Sequence, residues 1–147
     1  MTAALMPDSP LWLKEIDHTA DVGIEVTADS EKQLFEHAAY GMFEILTSVE
    51  KVRPVEAVSL AVEGDDREAL LVHWLSELNY VHQVERMLFC NFEIASIEGN
   101  QLKATVYGEK IDLTRHTIHS ELKAVTFHDM KIRQRGNEWC VQIIFDM

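Results

Sequence analysis

The chain has 147 residues, the usual size of one domain, and 47% of them are hydrophobic, which suits a folded core and excludes a disordered chain. The formal net charge is -12. Strong direct binding to RNA or DNA is therefore not expected, because neutralising phosphates takes clusters of Lys and Arg. No apolar run approaches the ~18 residues of a membrane span. The first residues, MTAALMPDSP, lack the basic and apolar regions of a secretory signal. Cys90 and Cys140 sit in apolar, strand-like stretches and are expected to be buried, reduced thiols of a cytoplasmic protein.

In chain order, residues 1–10 read as a flexible N-terminal extension and residues 11–147 as the folded domain. Trp12 to Ile16 predicts a short strand, and Val22, Ile24 and Val26 line one face of a second. Asp17 to Asp21 between them predicts a turn or an irregular link. Ser30 followed by Gln33 has capping-box spacing, and Leu34, Phe35, Ala38, Ala39, Met42, Phe43 and Leu46 follow at helical spacing. Val58, Leu60 and Val62 alternate as a strand after Pro54. Asp65 and Glu68 repeat the capping spacing before a second amphipathic run: Leu70, Leu71, Trp74, Leu75, Leu78 and Val81.

The rest predicts strands. Met87 to Ile97 is one, Gly99-Asn100 a turn, and Leu102, Ala104 and Val106 a second strand that Gly108 interrupts. Asp112 to Ser120 is polar and reads as a loop. Leu122 to Arg133 and Trp139 to Phe145 predict a hairpin around Arg135-Gly136-Asn137. The order β-β-α-β-α-β-β-β-β predicts an α+β fold, a single domain with two helices packed on a largely antiparallel or mixed β-sheet.

The richest chemistry lies at two distant places. One is Asp17-His18-Thr19-Ala20-Asp21. The other is Phe145-Asp146-Met147, where an α-carboxylate at Met147 would adjoin the Asp146 side chain. Brought together, these oxygens could hold a hard divalent cation, with His18 orienting a ligand. Turn acids accepting backbone N–H bonds, and a solvated terminus, are the alternative. The seven histidines lack zinc-site context. No nucleophile elbow and no glycine-rich phosphate loop appear. Lys123, within Leu122-Lys123-Ala124-Val125-Thr126, reads as a snorkelling strand lysine or as a cation near carboxylates or phosphate.

Taken together, Asp17-His18-Thr19-Ala20-Asp21-Val22-Gly23, Leu70-Leu71-Val72-His73-Trp74-Leu75-Ser76-Glu77-Leu78, Gly108-Glu109, Lys123-Ala124-Val125-Thr126-Phe127-His128 and Ile144-Phe145-Asp146-Met147 resemble the archease family. The resemblance runs from about Leu11 to Met147. It implies a protein cofactor rather than an enzyme: an activator of an RtcB-type RNA ligase. Such ligases use GTP and Mn²⁺ to join cyclic-phosphate or 3′-phosphate RNA ends to 5′-hydroxyl ends in tRNA splicing or RNA repair. It implies help with ligase guanylylation and multiple turnover. It further implies a divalent cation, Ca²⁺ with Mn²⁺ or Mg²⁺ as alternatives, held by Asp21, Asp146 and Met147. Asp17 and His18 would lie beside those ligands, and Lys123 would contact the ligase or its nucleotide. A stand-alone metal-dependent phosphate-ester hydrolase, with His18 or His128 as base, is the alternative function.

Overall fold

Helix α1 (Glu31–Leu46) forms where the apolar stripe predicts it. Its stripe residues Leu34, Phe35, Ala38, Ala39, Met42, Phe43 and Leu46 are fully buried. The Ser30 hydroxyl accepts from the Gln33 N–H at 3.1 Å. The Gln33 side chain reaches back one residue beyond the usual capping box and accepts from the Asp29 N–H at 2.7 Å. Helix α2 (Arg67–Glu85) is capped by Asp66, whose carboxylate accepts from the Ala69 N–H at 2.8 Å. The cap is thus one residue later than the Asp65–Glu68 spacing predicts. Glu68 is used elsewhere, accepting from the Ile132 N–H at 3.0 Å. Trp74 of α2 donates its indole N–H to the Phe35 carbonyl of α1 at 2.9 Å, which ties the two helices inside the core.

The computed structural model describes residues 9–18 and 21–147; the side chains of Asp17 and His18 are outside that description. Two sheets flank the helices rather than the single sheet expected, and their strand pairings are antiparallel. In the first, β1 (Leu13–His18), β2 (Asp21–Ala28) and β8 (Glu138–Asp146) run side by side. The other edge of β8 is shared by β6 (Ala124–Val125) at one end and β7 (Arg133–Arg135) at the other. The second sheet has the order β3-β5-β4, from β3 (Glu56–Glu63), β4 (Met87–Glu98) and β5 (Gln101–Lys110). Helix α1 touches β2 and β8 on the first sheet and β4 on the second, so one hydrophobic cluster serves both.

Three expectations change. The predicted strand Leu122 to Arg133 is broken: only Ala124–Val125 and Arg133–Arg135 pair with β8, and the chain between them is irregular. Gly108 does not interrupt β5. A Cβ there would collide with the Leu88 carbonyl, so glycine lets β4 cross close to β5 beside the register shift between Phe89 and Asn91. Cys90 and Cys140 are free thiols but only half-buried, and burial pushes both above the usual thiol range. The Gly99-Asn100 turn is as expected, with φ of 57° and 60° at its two residues.

Candidate functional site

Strands β2 and β8 build one end of the site. Their register sets Val22 opposite Phe145, Ile24 opposite Ile143 and Val26 opposite Val141, all buried against the helices. The paired ladder ends at Val22 and Phe145, and continuing its register by one step would set Asp21 across from Asp146. Residues directly opposite in an antiparallel pair share a face of the sheet. Asp21 and Asp146 therefore lie on the outer face, Asp21 half-buried and Asp146 exposed. The two segments, separated by most of the chain, are neighbours in one sheet. The Met147 side chain is packed partly against the core, which fixes the end of β8.

Lys123 joins them from a third segment. Its N–H donates to the Asp146 carbonyl at 2.8 Å, and Ala124 pairs with Asp146 in β6. The Lys123 side chain is exposed. Asp17 and His18 pair through their backbones with Val22 and Asp21, so a link of only Thr19 and Ala20 joins β1 to β2. The predicted roles of Asp17 and His18 rest on side chains outside the described residues, and Thr19 and Ala20 are outside them too. His128 is an exposed residue whose ring lies 3.3 Å from the Asp129 carboxylate.

What carries Lys123 to this place is a loop the sequence marked only as polar. Residues 111–123 are fastened along their length. The Thr47 hydroxyl donates to the Thr117 carbonyl at 2.7 Å, and the His119 N–H donates to the Leu46 carbonyl at 2.8 Å. From α2, the Asn79 and Gln83 side-chain amides both donate to the Leu122 carbonyl, at 3.1 and 2.6 Å. The start of the loop is held by Glu109. Its carboxylate accepts from the Arg53 N–H at 2.8 Å, from His116 Nε2 at 3.0 Å and from the Arg115 guanidinium. His116 Nδ1 accepts from the Asp112 N–H at 2.9 Å, so the ring proton resides on Nε2 and points at Glu109. Burial alone would raise the Glu109 pKa, but the hydrogen bonds from Arg115, Arg53 and His116 outweigh it and hold the carboxyl at about 2.

Asn79 and Gln83 are positioning residues that sequence reading missed, and Glu109 entered it only within Gly108-Glu109, with no role assigned. A signal was present for the first two: they lie four residues apart on α2, beside the apolar stripe, with Asn79 buried.

Do these residues suit a divalent cation? Among the described residues no group of three His, Cys, Asp or Glu side chains could enclose a metal. A site here would therefore combine two carboxylates with backbone or terminal oxygen at Met147, a donor set suited to hard cations. The donor set fits.

Comparison with known proteins bears on the family and the fold. The model of the Archease protein family (MTH1598/TM1083) matches residues 13–147. Protein archease of Methanopyrus kandleri is 36% identical over 137 residues, 91% of this chain and 98% of that protein. Protein archease of Pyrococcus abyssi is 39% identical over 135 residues, 89% of this chain and 95% of that one. The solution structure of Methanobacterium thermoautotrophicum protein 1598 superposes with a TM-score of 0.80 at 32% identity, covering 92% of this chain and 99% of that one. A crystal structure from Thermotoga maritima, described as an archease and possible chaperone, shares the fold with a TM-score of 0.61 at 24% identity, over 91% of this chain and 96% of that one.

Proposed function

The chain belongs to the archease family, and on that footing we propose that it is a non-catalytic activator of an RtcB-type RNA ligase in the cytoplasm, promoting ligase guanylylation and multiple turnover. The observation that carries this reading is the meeting of Asp21, Asp146 and Lys123 at one end of the first sheet. Asp21, Asp146 and Met147 would hold a divalent cation, Ca²⁺, Mn²⁺ or Mg²⁺. Such an ion supplies positive charge for phosphate oxygens.

The protein's own part is placement. The β2–β8 ladder holds the two carboxylates on one face, and the packed Met147 side chain keeps the end of β8 in register. The fastened loop presents Lys123 as an exposed cation able to reach a nucleotide phosphate or an acidic group of the ligase. The net charge of -12 steers the protein towards a basic, RNA-binding partner.

The test mixes the protein with a cognate ligase, GTP and Mn²⁺ and counts ligation turnovers. Asp21→Asn, Asp146→Asn and Lys123→Ala should each abolish stimulation while the variants melt as folded proteins. Normal stimulation by all three would remove the site from the mechanism. Phosphate-ester turnover by the protein alone would replace this reading with a hydrolase.

A further inference from the structure

The outer face of the first sheet has a second feature, some distance from Asp146. Period-two alternation puts Lys14 of β1, Glu25 and Thr27 of β2, and Cys140 and Gln142 of β8 on this face, opposite the buried Leu13, Val26 and Val141. A cleft of about 580 Å³ opens there. Lys14 contributes from one side, and Lys131, Arg133 and Arg135 from the other. Arg133 and Arg135 alternate on β7 and so share a face, and Lys131 lines the cleft from the approach to it. Three carboxylates, Glu25, Asp129 and Glu138, also line the cleft. Among the described residues none of the four cations lies in an ion pair. With four cations against three carboxylates, the cleft carries a small positive excess within a chain of net charge -12.

The cleft has the layout of a strand-binding platform. It spans β1, β2, β8 and β7, about 14 Å across at ordinary strand spacing. Cations every second residue along an extended chain recur at about 7 Å. Trp12 borders the cleft, its indole fixed by stacking on His37 at 3.6 Å between ring centres. A cationic groove with an aromatic wall is what binds a single nucleic-acid strand without regard to sequence. Along the same face, the row of Thr27 and Cys140 is followed by Glu25 and Gln142 and then by Gly23 and Ile144, which are buried, so the open cleft ends before the Asp21 and Asp146 end of the sheet.

We propose that this cleft binds the sugar-phosphate backbone of single-stranded RNA through Lys14, Lys131, Arg133 and Arg135, with a base stacked or packed against Trp12. The inference rests on the ligase-activator reading and gives it a substrate contact: the RNA end awaiting ligation.

The test is fluorescence anisotropy of a labelled single-stranded RNA of roughly 12 nucleotides, with the full-length protein and no ligase. Binding should weaken with salt. The double substitution Arg133→Ala/Arg135→Ala should lower affinity roughly tenfold and flatten the slope of log affinity against log salt by about 1.4, two phosphate contacts on a single strand. Arg133→Lys/Arg135→Lys should retain most of the binding, which separates lost charge from lost structure, and Trp12 substituted by Leu should weaken binding with the salt slope unchanged. Absence of binding at low salt, binding unaffected by the double Ala substitution, or full displacement by GTP alone or by an acidic peptide at equal charge would overturn the proposal. Because the ligase is absent, loss of RNA binding with ligase stimulation intact removes this inference only. Loss of stimulation with RNA binding intact removes only the ligase reading.

Discussion

The Asn79 side-chain amide donates to the Leu122 carbonyl at 3.1 Å, one residue before Lys123. A buried polar group on α2 thereby sets where a cation at the sheet edge stands. Gln83, one turn later, donates to the same carbonyl at 2.6 Å. With two donors on one acceptor, neither substitution alone should free the loop.

Asn79→Ala is therefore expected to cost about 1 kcal/mol, and the double substitution Asn79→Ala/Gln83→Ala about 2 kcal/mol. The double variant should also lose ligase stimulation to nearly the extent of Lys123→Ala, although it leaves Lys123 in place. Urea unfolding and ligation turnover, measured side by side, check this. Full stimulation by the double variant would mean that Lys123 finds its place without α2.

Removing one of the two carboxylates should have different consequences with and without metal. In EDTA, Asp146→Asn should melt close to the parent temperature, since that carboxylate is exposed, and Asp21→Asn no higher than the parent, since Asp21 has interactions of its own. With millimolar Ca²⁺ the parent should gain stability by mass action and the variants should not. Differential scanning fluorimetry over a cation titration reads both. Equal Ca²⁺ shifts in parent and variants would place cation binding elsewhere. Adding residues beyond Met147 should reduce the shift, since it turns any carboxylate there into an amide.

Glu109 makes stability depend on acid. Its pKa is depressed to about 2 in the folded protein against 4.5 for the ordinary group. A depressed carboxyl contributes stability that is complete above the unfolded value and is lost as pH falls from there towards the folded one. The loss should fall between pH 4.5 and about 2. His82 acts in the same direction at higher pH: burial lowers its pKa below 6.5, so stability falls as pH drops below that value. Thermal melts from pH 7.5 to 3 should show two declining segments. Glu109→Gln should shrink the lower one, leaving the part due to Asp112, whose carboxyl is also held down by hydrogen bonds from Thr114, and should cost about 2 kcal/mol at neutral pH by leaving Arg115 and His116 short of an acceptor.

Gly108→Ala should be among the most destabilising single substitutions in the chain. Its Cβ would overlap the Leu88 carbonyl, a backbone atom that cannot rotate away. A cost of about 2–3 kcal/mol is expected, read as a fall in the urea midpoint. A neutral result would show that β4 can shift away from β5 without cost.

The helices and the outer limits of most strands could be read from the sequence because burial repeats at a fixed period. Leu34 to Leu46 and Leu70 to Val81 each carry an apolar stripe that no other structure satisfies. The break within Leu122 to Arg133 could not be read that way. Val125 is buried, but Phe127 is 56% exposed, so apolar residues there do not mark pairing. Gly108 was misread because a strand interruption and a close backbone crossing both call for glycine. In the site, Asp21, Asp146 and Lys123 were singled out by their chemistry and then by resemblance, but their approach depends on a ladder between segments more than a hundred residues apart. The basic cleft escaped notice because net charge averages over the chain, whereas Lys131, Arg133 and Arg135 are gathered on β7 and its approach.

The position of β8 also bears on synthesis. It is an interior strand of its sheet, yet it is made last among the strands described here. Until it emerges, the hairpin of β1 and β2 has one edge open, and Val22, Ile24 and Val26 lack their neighbours across the ladder. A nascent chain must wait for over a hundred further residues before that edge can close, a long-range pairing that slows folding. During that wait the open edge is exposed to strands of other unfinished chains.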